Sequence, residues 1–319
     1  MLNLVFMGTP AFAVPVLESL AARHNVSLVV TQPDKPKGRG QQLAAPPVKL
    51  KAEELGIPVA QPASLKTPEI HDLIAAQQAD LLVVVAFRIL PATLFPLARL
   101  GAVNIHGSLL PKYRGAAPIQ WAVANGDKET GVTIFRLDAE VDHGEVLAQE
   151  STPIGPEETA GELFDRLSLM GRDLLLKTLD DLEAGRAVAR PQDHALASPA
   201  PKIHKEDGRI DWNLSAQAIH DRVRGFNPAP GCHTVELLEH ASGAAGETAG
   251  RTLRVHRTRP VSASSGTGSP GVLEAEAGEA YVGTGAGRLQ LVEVQWEGKP
   301  RISGRDLVNG LRGAGLRFT

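Results

Sequence analysis

The 319-residue chain has one cysteine, Cys232, so no internal disulfide can form, and a reducing compartment is expected. Aromatic residues make up only 4% of the chain, which leaves core packing mainly to aliphatic side chains. Nowhere does the sequence reach the roughly 18 consecutive apolar residues of a membrane span. The opening MLNLVFMGTPAF lacks the basic n-region of an export signal and reads as a first β-strand. No membrane association is expected, and the predicted location is the cytoplasm. Both G-x-G-x-x-G and a Walker A motif are missing, so Gly8-Thr9-Pro10 has no nucleotide meaning. No His/Cys cluster has metal-ligand spacing, and no metal is expected. Net charge is −3, and residues 201–319 carry 15 Lys and Arg against 13 Asp and Glu. That bias allows a local basic face but falls short of a dedicated nucleic-acid domain.

With 43% hydrophobic residues, the chain can build two cores. Apolar runs at Leu2–Met7, Val26–Thr31 and Ala79–Ala86 alternate with stretches of helical spacing. This is the pattern of a Rossmann-like α/β domain with a mostly parallel sheet. Thr159 and Glu162 match a capping box ahead of a long helix that stops at Gly185. Pro191, Pro199 and Pro201 interrupt regular structure, and the expected division is a domain over 1–188, a linker over 189–205 and a second domain over 206–319. In the last part, five short β-like runs, Cys232–Leu238, Thr252–Thr258, Gly271–Ala275, Tyr281–Thr284 and Leu289–Val294, separated by Gly- and Ser-rich turns, suggest an OB-like β-barrel. The stretches 241–250 and 262–269 read as solvated connections.

The chemistry concentrates in GAVNIHGSLLPKYRGAAPIQ, residues 101–120. A strand over 102–105 delivers Asn104 and His106 to its carboxyl end, and two residues apart they point to the same side. One amide donor and one titratable imidazole facing a single group suit acyl transfer: the amide steadies an oxyanion and the imidazole moves a proton. A capping Asn beside a structural His is the plainer alternative for such a short motif. Asp142 follows a second strand-like run, Gly131–Leu137, and the three side chains could meet where strands of an open sheet end. Upstream, residues 32–47 form a long loop carrying Lys35, Lys37 and Arg39. The loop is either a solvated surface segment or one that folds onto a polyanion.

NIHGSLLPKYRGAAPIQ, together with LDAEVDHGE, resembles the signature of the folate-dependent formyltransferases. MGTPAFA, TQPDKPKGRGQQLAAPPVK and RIDWNLSAQAIHDRVRGFNPAPG extend the resemblance over nearly the whole chain, toward the branch that acts on methionyl-tRNA. The resemblance implies transfer of a formyl group from 10-formyltetrahydrofolate to the α-amine of methionyl initiator tRNA, for translation initiation. It implies Asn104, His106 and Asp142 as the catalytic group. Folate contacts are implied at Phe87, Arg88, Ile89, Leu90, Ser108, Leu109, Leu110, Pro111 and Asp142, with Ser108 steadying its loop. Contact with the tRNA acceptor stem is implied at Lys35, Lys37 and Arg39, and the second domain is implied to bind tRNA. The protein is expected to be a monomer. Two departures stand out. Gln41 and Gln42 occupy positions where the family often has Lys, and AFRILP lacks the Gly usual in the methionyl-tRNA branch.

Overall fold

The computed structural model describes residues 1–37, 42–238, 248–261, 268–311 and 315–319. They divide into two compact units: residues 1–118, 129–153 and 164–201 in the first, and 119–128, 154–163 and 202–319 in the second.

The first unit is built on seven strands: β1 (Asn3–Gly8), β2 (Asn25–Val30), β3 (Val59–Ala60), β4 (Leu81–Val85), β5 (Ala102–His106), β6 (Glu129–Arg136) and β7 (Val146–Pro153). Their spatial order is β7-β6-β5-β4-β1-β2-β3. Every pair from β3 to β5 is parallel. β6 lies antiparallel to β5, and β7 antiparallel to β6. The chain leaves β1 toward β2 and β3, then returns to place β4 on the other side of β1. This reversal opens a crevice outside the carboxyl ends of β1 and β4, with β5 alongside.

Both faces of the sheet are covered, so its central strands are apolar throughout rather than alternating. Val5, Met7, Leu82 and Val84 pack in one cluster with Ile70 and Ile74 of helix α3 (Pro68–Ala75), while Leu4 and Phe6 are buried on the opposite face. Helices α1 (Val14–Arg23) and α2 (Pro47–Glu54) precede α3, and α4 (Pro118–Ala124) and α5 (Ala160–Glu183) follow. A Cβ on Gly171 of α5 would come within 2.8 Å of Ile105, so the helix lies directly on β5. Ile105 is thus held from behind, and the alternation of the strand sends Asn104 and His106 the other way. The predicted capping box is present: the Glu162 amide donates to the Thr159 hydroxyl, 3.2 Å, and the Thr159 amide to the Glu162 carboxylate, 2.8 Å.

In the second unit, β8 (Cys232–Leu238), β9 (Thr248–Val261), β10 (Val272–Glu276), β11 (Glu279–Gly283), β12 (Arg288–Trp296) and β13 (Leu316–Phe318) run antiparallel in the order β9-β8-β13-β10-β11-β12. Pairing of β12 with β9 closes the barrel. Helices α6 (Ala216–Gly225) and α7 (Gly304–Leu311) complete the unit. Phe226, Ile219, Leu253, Leu291 and Val294 fill the interior, and Trp121 of α4 packs edge-on against Phe226 at 5.6 Å. Of the two expected connections, 241–247 and 262–267 lie outside the described residues, while 248–250 already belong to β9. Among the described residues, no helix is long and apolar enough to cross a membrane.

Most of the stretch read as linker is part of the first unit. Arg190 exchanges backbone hydrogen bonds of 2.8 and 2.9 Å with Val146, and Pro199–Ala200 pair in parallel with Arg114–Gly115.

Candidate active site

β5 ends at His106, whose ring is buried at 5% exposure. Its Nε2 lies 2.8 Å from the backbone oxygen of Tyr113. A carbonyl can only accept, so Nε2 carries the proton and donates, and Nδ1 is the ring atom left for chemistry. Nδ1 faces Oδ2 of Asp142 at 3.7 Å. That gap is wider than a hydrogen bond, so the two groups face each other without a direct bond. The same Oδ2 accepts from the amide of Gly115 at 2.8 Å, which fixes the carboxylate.

The loop between His106 and Gly115 is tied at several points. The Ser108 hydroxyl donates to the backbone oxygen of Lys112 at 2.6 Å. Thr133 of β6 donates to the Ser108 carbonyl at 2.6 Å and accepts from the Leu110 amide at 3.1 Å. Gln149 of β7 donates to the Leu110 carbonyl at 2.7 Å. Tyr113 sits at φ 61° and Gly115 at φ 123°. A Cβ on Gly115 would stand 2.6 Å from the Ala200 carbonyl oxygen, so that position is closed to other residues.

Asp142 arrives by a route that sequence did not indicate. Its strand was expected to end on the same edge as β5, but β6 is antiparallel, with Thr133 opposite His106 and Arg136 opposite Val103. The chain therefore leaves β6 on the far side and folds back through residues 137–145, with Asp142 at φ 52°. Of the three side chains predicted to converge, those of His106 and Asp142 face each other at the carboxyl end of β5, and Asn104 lies on that strand two residues before His106. Asn104 has a buried Oδ1 with no hydrogen-bond partner. Thr9, Thr31 and Arg88 also carry such an atom, and they follow β1, β2 and β4. Unpartnered buried polar atoms are uncommon, and four of the seven among the described residues lie on or after strands at this edge, the others being on His24, Arg222 and Arg288.

The turn after β4 starts at Ala86, φ 48°. Phe87 packs against the core cluster, Leu90 is buried, and Ile89 is exposed. The Arg88 guanidinium donates to the carbonyls of Ala63 and Pro62 at 3.0 and 2.9 Å, and burial pushes its pKa below the ordinary value. Leu110 is buried, while Leu109 and Pro111 are half-buried. Lys35 and Lys37 lie on a short strand, Lys35–Lys37, paired with Gln42–Ala44, and Lys35 donates to Gln32 at 2.7 Å. Arg39 lies outside the described residues. The stem of this loop is anchored at Asp34, which accepts from Gln61 at 2.7 Å and from Lys49 at 2.8 Å, bonds that hold its carboxyl below the usual range. Sequence reasoning missed Tyr113, Gly115, Thr133 and Gln149. Tyr113 and Gly115 act through backbone atoms, which leave no side-chain signal.

Both halves of the chain match known families: residues 2–179 match "Formyl transferase" and residues 202–312 "Formyl transferase, C-terminal domain". The chain belongs to the formyl transferase family. It is 47% identical to methionyl-tRNA formyltransferase of Solibacter usitatus, over 98% of this chain and 96% of the relative. With methionyl-tRNA formyltransferase of Geobacter metallireducens, identity is 46% over the same shares of the two chains. The fold is shared with the N-formyltransferase of Helicobacter canadensis in complex with folinic acid and dTDP-3-aminofucose, at TM-score 0.64 and 17% identity, over 91% of this chain and 99% of that one. It is also shared with HypX from Aquifex aeolicus in complex with tetrahydrofolic acid, at TM-score 0.63 and 18% identity over 98% of this chain, which spans 48% of HypX.

Proposed function

We propose that the protein transfers the formyl group of 10-formyltetrahydrofolate to the α-amine of methionine esterified to initiator tRNA, in the cytoplasm and as a monomer, with Asn104, His106 and Asp142 as the catalytic group. The observation that carries this reading is the buried His106–Asp142 pair at the end of the strand that carries Asn104, whose buried Oδ1 has no hydrogen-bond partner. That oxygen can only accept, so it is open to a donor such as the substrate amine, and the NH2 of the same carboxamide is the group that would donate to the formyl oxygen. Full-length likeness to methionyl-tRNA formyltransferases supports the acceptor. Tetrahydrofolic acid in HypX and folinic acid in the Helicobacter canadensis enzyme support a folate donor.

The donor supplies a formyl carbon bonded to N10. The turn Phe87, Arg88, Ile89 and Leu90 and the loop Ser108, Leu109, Leu110 and Pro111 would hold its ring system, with Asp142 between them. Asn104 would donate to the formyl oxygen as that atom gains negative charge, a contact of the kind worth about 3 kcal/mol. The amine must attack as the neutral base. As its nitrogen bonds to the formyl carbon and the N10–carbon bond breaks, one proton leaves the amine and one reaches N10. Asp142 and Nδ1 of His106 face each other and can pass that proton between them. The Nε2–H bond to Tyr113 keeps Nδ1 turned toward the reaction. Lys35, Lys37 and Arg39 would meet the phosphates of the acceptor stem, and the barrel would hold the rest of the tRNA.

The purified protein, given 10-formyltetrahydrofolate, should formylate methionyl initiator tRNA and leave glycinamide ribonucleotide and amino sugar nucleotides untouched. Transfer to a small acceptor, with none to the tRNA, would overturn the acceptor assignment.

A further inference from the structure

Gln192 lies in the segment that looks like a linker, yet it is buried at 7% exposure. Its Nε2 donates to the carbonyls of Asp142 and Gly144 at 3.0 and 2.8 Å. Its Oε1 accepts from Nη2 and Nε of Arg114 at 2.6 and 3.2 Å. A carboxamide offers two donors and two lone pairs, and here all four are engaged. Arg114 sits between two residues of the site: Tyr113, whose carbonyl accepts the hydrogen bond from His106 Nε2, and Gly115, whose amide donates to the Asp142 carboxylate. The same Nη2 of Arg114 also lies 2.8 Å from Nδ1 of His194, whose ring stacks on His143 at 4.0 Å.

One side chain therefore joins the loop that fixes His106 to the loop that carries Asp142. Both loops include a non-glycine residue at positive φ, Tyr113 and Asp142. Such backbone persists only where surrounding contacts over-determine it. We propose that Gln192, acting through Arg114, is a positioning residue for formyl transfer: it sets the distance and facing of the His106 imidazole and the Asp142 carboxylate. This role rests on the catalytic reading of His106 and Asp142 given above.

The test compares Gln192→Leu, Gln192→Glu, Arg114→Lys and the double variant Gln192→Leu/Arg114→Lys with the unaltered enzyme and with Asp142→Asn. Gln192→Glu keeps an acceptor for Arg114 but turns lone pairs toward the two carbonyls that Nε2 serves. For both Gln192 variants kcat should fall roughly 10- to 100-fold, the scale of a small misplacement of a reacting group. KM for both substrates should stay nearly constant, and the pH profile of kcat should shift. A residue that only supports folding would lower the melting temperature and the folded yield, but leave kcat per folded molecule and its pH profile unchanged. Losses in the double variant smaller than the product of the single losses are expected for one shared brace. Should Gln192→Leu not fold, Gln192→Glu and Arg114→Lys carry the same comparison, and the cycle is run with Gln192→Glu. Unchanged kcat in a folded Gln192 variant, or independent multiplicative losses, overturns the brace. If Asp142→Asn is inactive in that same experiment, the catalytic reading still stands. An Asp142→Asn variant with full turnover would instead defeat the catalytic reading itself.

Discussion

The two units treat unfavourable backbone differently. In the first, Gln78, Ala86, Tyr113 and Asp142 occupy positive φ alongside Gly56, Gly101, Gly115 and Gly185, and Ala86, Tyr113 and Asp142 fall in the segments that follow β4, β5 and β6. In the second, such positions fall to Gly126, Gly231, Gly271, Gly278, Gly287 and Gly298, with Ala277 the exception among the described residues. Unpartnered buried polar atoms divide in a similar way: of the five in the first unit, those of Thr9, Thr31, Arg88 and Asn104 lie on or after strands at one sheet edge and that of His24 precedes β2, while the described residues of the second unit contribute Arg222 and Arg288. A non-glycine residue held at positive φ costs about 1–3 kcal/mol. Placing several around one crevice gives up local stability to fix the orientation of reacting groups, whereas the barrel carries turns of ordinary chemistry around a filled core.

That contrast can be broken by substitution. Phe226→Ala, at a fully buried position of the barrel, should cost about 3–5 kcal/mol of stability in denaturant titrations. The kcat of the molecules that remain folded should not change. His106→Ala should do the reverse, lowering kcat by roughly 10²–10⁴ with little change in the unfolding midpoint. Gly115→Ala should fail on both counts. Its Cβ would meet the Ala200 carbonyl and its φ suits glycine, so a loss of about 1–3 kcal/mol should accompany a fall in kcat, read by calorimetry and turnover on one preparation. In the loop, Lys35→Ala with Arg39→Ala should raise KM for the tRNA substrate, leave kcat nearly constant and make the salt dependence shallower by a slope of about 2. The smallest effect concerns Cys232, whose thiol is pushed up to about 12 by burial. It should stay protonated and unreactive toward a disulfide reagent at mildly alkaline pH until the barrel unfolds.

Much of this division was legible in the sequence. Asn104 and His106 stand out because polar residues end an otherwise apolar strand, and period-two spacing sets them on one side. The capping box at Thr159 and five of the six barrel strands were also readable, because each has several residues of periodic pattern. The sixth, Leu316–Phe318, has three residues, too few to show a period, yet it pairs with both β8 and β10. The antiparallel sense of β6 was hidden because a strand buried on both faces is apolar whichever way it runs. Residues 190–200 resemble a linker because proline removes backbone donors. What holds them is backbone pairing of Arg190 with Val146 and of Pro199–Ala200 with Arg114–Gly115, together with side-chain bonding of Gln192 and Ser198 to distant loops, and no local pattern encodes that.

The central claim is that the Asn104 side-chain NH2 stabilises charge on the formyl oxygen. Single-turnover formyl transfer by Asn104→Ala tests it most directly, with affinity for methionyl-tRNA and the unfolding midpoint measured in parallel. The expected result is a rate lowered by roughly 10²–10³ with affinity and midpoint unchanged. An Asn104→Ala enzyme that transfers formyl at the unaltered rate would contradict the account.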